Sequence, residues 1–517
     1  MKTINLVALV FGAFAFHFIF WGEDLGLNCA LLSLFSILIN YSNSPIIFGK
    51  RTVQIVMAGH LISLIFFLYH HSLISEIAAI ITWVVMIGFF QYSDLRTTHR
   101  ALLSGFINFF RMPPVLSGFK LEKQEFSSFR FEREVKIILV PLVGLLVFYL
   151  IFREANNVFR SISDQFWHDV QWFFMTLFSK ISLPRITFFV FGFLLCSWFI
   201  YQVTYGFFSE KEKNKTDGLF RIRKRISPTS IKAYGNKPGL GTDLKVENRT
   251  GVIMMAMIGI LLVFINILDI IYVWFGYDFN PETNFSADVH KGLNLLIFSI
   301  FLSIFTMIYY FRKNQNFYSN NARLKKTAYF WIIQNFILIV SVVFRNIHYI
   351  QYQGLTHKRI GVFLFLLIVS IGLVSLYRKI AEKKSFFYMS RVNSWSVYGL
   401  LVFLACFNWD MIIFNYNFNH RSSIEFDRYY TLDYLSDEAI LKMKFLESEL
   451  NIDNDLNEIE NYQQYRRNTL EDRIQLIKWQ LVHDKTSFFS WNYRKYRLRK
   501  LFPSQLDAQN YLINEPN

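Results

Sequence analysis

His60, Asp269 and Asn335 are polar side chains set inside long apolar runs, and Arg345, His348, Lys358, Arg359 and Asp410 crowd the ends of such runs. Ionisable groups are expensive inside a bilayer, so each one found there is a candidate for function. One chemistry for His60 and Asp269 is a proton relay through a transporter. The other reading is polar bonding within a helix bundle, a role that also suits Gln334 and Asn335. The stretch FRNIHYIQYQGLTHKRIGV, residues 344–362, supplies Arg345, His348, Lys358 and Arg359. Guanidinium forks suit bidentate contact with phosphate. These four side chains would line a pocket for an anionic ligand such as a lipid phosphate. Asp410 would pair with one of the cations or act as a base, and Glu23 and Asp24 would bring carboxylates to the same rim. The alternative is an ion-paired cluster that locks helices together.

Composition says what must position these groups. The 517 residues are 53% hydrophobic, 19% aromatic and only 18% charged, whereas soluble domains carry roughly 25% charged residues. A bilayer solvent explains the 58 phenylalanines. An apolar run of about 20 residues spans a bilayer core. By that rule the fold is an all-α, polytopic helix bundle of about eleven spans, near 4–21, 25–41, 53–69, 74–91, 136–153, 185–205, 251–275, 290–311, 326–345, 359–378 and 395–414. The run from Ile4 to Trp21 lacks a small-residue cleavage pattern and reads as an uncleaved first span.

The connectors alternate in charge. Those at 42–52, 92–135, 206–250, 312–325 and 379–394 are basic, the third most of all, with RIRKR at 221–225. The intervening ones are poor in Lys and Arg. Basic connectors stay cytoplasmic. The N-terminus is then expected inside and the polar tail, 415–517, outside, in the periplasm of a bacterium. The connector at 346–358 breaks the rule, which is why the cations around it draw notice. The net charge of +16 is thus a matter of membrane topology rather than of nucleic acid. GNKPGLGT, residues 235–242, lacks the ending of a phosphate loop, and connector 206–250 reads as a mobile linker.

Residues 156–180 form an amphipathic pattern, either flat on the outer surface or packed on the bundle; 97–111 is a similar case on the inner face. In the tail, Leu470, Ile474, Ile477 and Leu481 make a one-faced helical stripe. Ser436 and Ser490 stand where helix caps belong. At the exit of the last span, Asn408 and Asn415 would share one helix face, and Asp410 and Asn417 another. The three cysteines, Cys29, Cys196 and Cys406, lie far apart in apolar runs and support neither a disulfide framework nor a metal site. There is no GxSxG, HExxH or Walker sequence, so no cofactor and no reaction is indicated.

FWGEDLGLN near the start, ENRTGV at 247–252, VHKGLNLLIFSI at 289–300, RNIHYIQYQGLTHKRIGV at 345–362, RVNSWSVYG at 391–399, NWDMIIFNYN at 408–417, LDYLSDEAI at 432–440 and FFSWNYRKYR at 488–497 together resemble a bacterial, Bacteroidota-type membrane-protein family. That family is catalogued only as a domain of unknown function, number four-one-seven-three, close to four-one-five-three. The resemblance implies a polytopic inner-membrane protein with a short helical C-terminal region. It brings no activity, and it matches Arg345, Asn346, His348, Asn408 and Asp410 to family motifs. The leading expectation is a non-enzymatic envelope sensor or scaffold that binds an anionic lipid headgroup or a periplasmic protein through its outer face. A proton-coupled transporter using His60 and Asp269, and a transferase acting on lipid-linked substrates, are the alternatives.

Overall fold

The computed structural model describes residues 3–110, 148–150, 152–177, 182–201, 215–220, 240–275, 285–318, 320–422, 426–446, 460–483 and 487–500, with a few single positions between them, Glu212 among these. Within these residues the chain is all-helical apart from one isolated bridge between Gly218 and Lys384. Helices α1 (Thr3–Phe20), α2 (Leu27–Asn43), α3 (Arg51–His70), α4 (Leu73–Gln91) and α5 (Thr98–Phe110) come first, then α6 (Asn157–Leu177) and α7 (Leu183–Ile200). The second group is α8 (Leu240–Asp269), which runs into a π turn at Ile270–Phe275, α9 (Phe285–Tyr310), α10 (Ala322–Gln353) and α11 (His357–Ala381).

Each group closes around its own core. Val56, Met86, Phe90, Cys196 and Phe199 centre the first, and Met307, Trp331, Val342, Leu373 and Leu376 centre the second. Helix α12 (Phe386–Ala405) belongs to both: Tyr398 buries into the first core and Met389 into the second. Small residues let α4 and α5 touch. A Cβ on Gly88 would meet the backbone of Ala101, and one on Gly105 would meet the Val84 carbonyl, the close approach that membrane helices use when there is no hydrophobic effect between them. Away from these cores the helices expose large apolar side chains such as Phe11, Ile65, Ile260 and Phe305, as lipid-facing surfaces do.

The expected count of about eleven spans is not supported. Among the described residues, six helices are long and apolar enough to cross a membrane: Arg51–His70, Leu73–Gln91, Leu183–Ile200, Leu244–Phe275, Ala322–Gln353 and His357–Ala381. A bent pair, Phe386–Ala405 with Trp409–Asn419, would make seven. Asn5–Phe20, Leu27–Asn43 and Ile297–Tyr310 are apolar but shorter. At 1.5 Å per residue the 17 residues of α2 rise about 26 Å, at the lower limit for a hydrocarbon core of about 30 Å. The segment at 136–153 lies largely outside the described residues, as do most of connector 206–250 and the acidic stretch at 276–284.

The last apolar run does not continue straight. It bends by 65° after Ala405, and Asn408 starts a new helix by accepting the Met411 amide at 3.2 Å. That helix, α13 (Trp409–Asn419), joins the tail helices α14 (Arg428–Tyr434), α15 (Asp437–Phe445), α16 (Glu460–His483) and α17 (Tyr493–Lys500) in a third core with Ile413, Phe414, Ile440 and Met443. Leu470, Ile474, Ile477 and Leu481 are all buried there, as their spacing predicts. Ser436 sits at the N-cap of α15 without a side-chain cap bond. Ser490 is no cap: Asn492 fills that role for α17, its Oδ1 accepting the Lys495 amide at 2.9 Å. Helix α6 leaves Val158, Ile162, Phe166 and Trp172 exposed, so among the described residues its apolar face does not pack on the bundle.

Candidate functional site

The late turns of α1 and α3 and the first turns of α2, α4 and α7 all reach the same end of the first lobe. They converge there because the connectors between them are short. Together with α5 they enclose a cavity of about 510 Å³, within the range of small-ligand sites. Its wall is aromatic and aliphatic, with Phe16, Phe67, Trp83, Phe109 and Trp198 prominent. Two carboxylates, Glu23 from the α1–α2 loop and Glu76 from the first turn of α4, also line it, and among the described residues no Lys or Arg does. Glu23 Oε2 is buried with no hydrogen-bond partner among the described residues. The indole N–H of Trp83 is already given to Ser36 Oγ at 3.0 Å.

His60 borders this cavity and is almost fully buried. Its Nδ1 lies 3.0 Å from Thr82 Oγ1 and its Nε2 2.6 Å from Ser33 Oγ. The Thr82 hydroxyl donates to the Ala78 carbonyl at 2.7 Å, so it accepts from Nδ1–H, and Ser33 donates to Nε2. The tautomer follows from that network. His60 is therefore held as a neutral ring that ties α2 and α4 to α3.

Asp269 stands elsewhere, in the second lobe. Its Oδ1 accepts from Arg345 Nη2, and His60 and Asp269 share no partner. Asn266, one turn before, donates to Gln334 Oε1 at 2.7 Å, and Asn335 donates to the Trp331 carbonyl at 2.8 Å. The first bond ties α8 to α10; the second stays within α10.

The residues of the expected rim cluster take separate partners. Arg345 goes to Asp269 and not to Asp410. His348 Nε2 lies 3.2 Å from the Val273 carbonyl. Arg359 folds back on the α10–α11 turn, donating to the Gln353 carbonyl at 2.9 Å and to the Gly354 carbonyl, and Lys358 is exposed. Asp410 accepts from His357 Nε2 at 2.8 Å, and the Tyr430 hydroxyl lies 2.9 Å from His357 Nδ1. Burial raises the Tyr430 phenol above its ordinary range, so it stays a donor. Asn417 closes the same turn, accepting the Leu355 amide at 2.6 Å and donating to the Leu355 carbonyl at 3.0 Å. On the other face of α13, Asn408 donates to Glu438 Oε2 at 3.0 Å, and Asn415 accepts from Lys442 at 2.6 Å. The two-face reading of α13 holds: one face grips α15 and the other grips the α10–α11 turn.

Sequence reasoning missed Glu76 and the segment at 487–495. Glu76 sits so near the start of its apolar run that it reads as the edge of a span. The segment's role shows only in space: Leu27 and Asn28 give their amides to the carbonyls of Trp491 and Phe489 at 3.0 and 2.8 Å. Lys495 pairs with Asp24 at 2.6 Å, and the rings of Tyr69 and Tyr493 stack 4.7 Å apart. The tail thus straps the loop that carries Glu23. No group of three or more His, Cys, Asp or Glu able to hold a metal occurs among the described residues.

One family model, described as Domain of unknown function (DUF4153), matches residues 56–445, most of the chain. The chain belongs to that family. DUF4153 is the neighbour of the family number that the sequence motifs resemble. Its match runs from within α3 to the end of α15, taking in His60, Glu76, Asp269, Arg345 and Asp410 and leaving out the loop with Glu23 and the strap. No curated protein and no solved structure matches the chain. With its apolar helices, this DUF4153 member is a multi-pass membrane protein.

Proposed function

We propose that the protein is a membrane-embedded receptor for an amphiphile with an apolar body and a cationic, amine-type head. The observation that carries this reading is the cavity with two carboxylates and no cation on its wall. An apolar tail would replace lipid or water against the aromatic wall, and the ammonium group would pair with Glu23 and Glu76. A buried carboxylate oxygen without a partner is costly, and a bound ammonium would relieve that cost.

The basic connectors favour an orientation with the N-terminus in the cytoplasm and the tail lobe outside, in the periplasm of a bacterial inner membrane. The cavity then opens towards the outer leaflet. The strap supports a sensor role rather than simple storage. Occupancy that moves Glu23 also moves the loop bonded to Phe489 and Trp491, and so reaches the tail lobe, where a protein partner would read it. The anionic-ligand pocket expected at Arg345 and Arg359 is not favoured, because those guanidinium groups are spent on Asp269 and on the α10–α11 turn.

The test uses dodecylamine, dodecanol and dodecanoate, which differ only in the head. In neutral detergent, dodecylamine is expected to raise the thermal unfolding temperature of the full chain more than the other two, and Glu23→Gln with Glu76→Gln should remove that difference. Equal responses to all three heads, or an unchanged amine preference in the double variant, would refute the reading.

A further inference from the structure

At the opposite end of the bundle, where the basic connectors lie, a second open pocket of about 650 Å³ is lined by Thr52, Arg96, Arg391, Val392, Trp395 and Ser396. Two of these six are arginines, and their geometry is fixed. Asp217 lies between them, 3.1 Å from Arg96 Nη2 and 2.5 Å from Arg391 Nη2. Arg96 also donates to the Lys215 carbonyl at 3.1 Å and lies over the Phe387 ring. The Trp395 indole holds the Arg96 carbonyl at 3.1 Å. Behind them, Glu212 is fully buried and occupied: it accepts the Arg96 amide and the Thr97 hydroxyl, both at 2.6 Å, and meets Arg100 at 3.4 Å. One shared carboxylate leaves the pair of guanidinium groups with an unbalanced positive charge. The remaining N–H groups of Arg391 have no partner among the described residues.

The third wall adds to this. Thr52 belongs to the first turn of α3, a helix of 20 residues whose N-cap, Lys50, makes no side-chain cap bond. A lysine has no acceptor to give, so the first-turn amides and the positive end of the helix dipole stay open to an anion. The Thr52 hydroxyl adds a donor, Ser396 Oγ gives its proton to the Val392 carbonyl at 3.0 Å, and among the described residues no carboxylate lines the wall.

We propose that this pocket binds a phosphate group, as carried by the headgroup of an anionic phospholipid or by a small phosphorylated solute. Arginines at this end also follow from the charge rule for membrane proteins. That rule needs only charge, however, and is met by freely solvated side chains. Here the two guanidinium groups are held on one pocket wall by a shared acid, a ring contact and backbone bonds, as phosphate recognition requires. The site is separate from the amphiphile cavity and stands or falls independently of it.

The experiment is native mass spectrometry of the full chain with dioleoylphosphatidylglycerol or dioleoylphosphatidylcholine, alongside thermal shifts with inorganic phosphate and glycerol 3-phosphate. Arg391→Gln removes one fork. Ser396→Asp leaves every ion pair in place and puts a negative charge in the pocket. Preferential retention of phosphatidylglycerol, weakened about tenfold in both variants, establishes a lipid headgroup site. Stabilisation by the soluble phosphates, lost in both variants and without lipid preference, establishes a solute site. The proposal is overturned if neither effect is seen, or if either persists undiminished in Ser396→Asp.

Discussion

Acid should undo the strap through His71. This residue caps α3 with a left-handed backbone, φ 47°, and its carbonyl accepts from Arg494 Nη1 at 3.2 Å. Burial, then the charges of Arg494 and Lys495, push its imidazole down from 6.5 to about 4, against a weaker pull from Asp24. The sign follows from the neutral ring being the form that docks. A docked state that binds fewer protons keeps its full stability above pH 6.5 and loses it as pH falls towards 4. With these two values the strap loses about 1.4 kcal/mol at pH 5.5, a tenfold change in its docking equilibrium, and at most about 2.5 kcal/mol at pH 4.5. Asp24 and Asp437 pair with Lys495 and Arg494 in the same strap, so a His71 variant is needed to isolate the histidine. The assay is hydrogen exchange at the Leu27 and Asn28 amides, corrected for the intrinsic pH dependence of exchange, since both bond to the strap. Protection should fall about tenfold between pH 7.5 and 5.5. His71→Asn tolerates the left-handed cap and has nothing to titrate, so it should keep protection over the same range. Equal protection at both pH values in the wild type, or equal loss in His71→Asn, would refute the argument.

Two further variants probe the bundle. Arg345→Ala leaves Asp269 buried without its cation and should cost about 3–5 kcal/mol in SDS-induced unfolding, whereas Arg345→Met combined with Asp269→Leu should recover most of that loss; a single variant as stable as the wild type would show that the pair does not hold α8 to α10. Asn417→Ala removes both bonds to Leu355 and should cost about 2 kcal/mol in the same assay, with no loss meaning that the α10–α11 turn stands without the clamp.

The helical, membrane-spanning character of the chain was legible from composition and run length alone, because a bilayer demands apolar segments with internally bonded backbones. The tail stripe from Leu470 to Leu481 and the two faces of α13 were legible too, since both depend only on helical period. The span count was not. The run at 25–41 is apolar, but the 17-residue α2 stands at the lower limit of length for a crossing. The break at 406–408 carries no proline to announce it, only an asparagine that caps the next helix. Pairing was the least legible. Arg345 and Asp269 are 76 positions apart, and the tail finds the α1–α2 loop across most of the chain. Nothing in one-dimensional spacing selects His357 over Arg345 as the partner of Asp410.

The positive charge that breaks the connector rule at 345–359 has a physical resolution in these pairings. An arginine on the unfavoured side is penalised as a free charge, but Arg345 is matched by Asp269 and Arg359 is spent on turn carbonyls. Lys358 remains exposed. The rim therefore presents less charge than its composition suggests. The carboxylates of the first-lobe cavity are the reverse case: Glu23 and Glu76 sit at the same end of the bundle, on a wall with no Lys or Arg among the described residues. Low dielectric strengthens whatever charge a cavity leaves unmatched. The sign of the ligand is thus set by which acids lack cations on their own wall, not by which connector is richest in lysine and arginine. For this end of the molecule that argument selects a cation, and for the Arg96–Arg391 pocket at the other end it selects an anion.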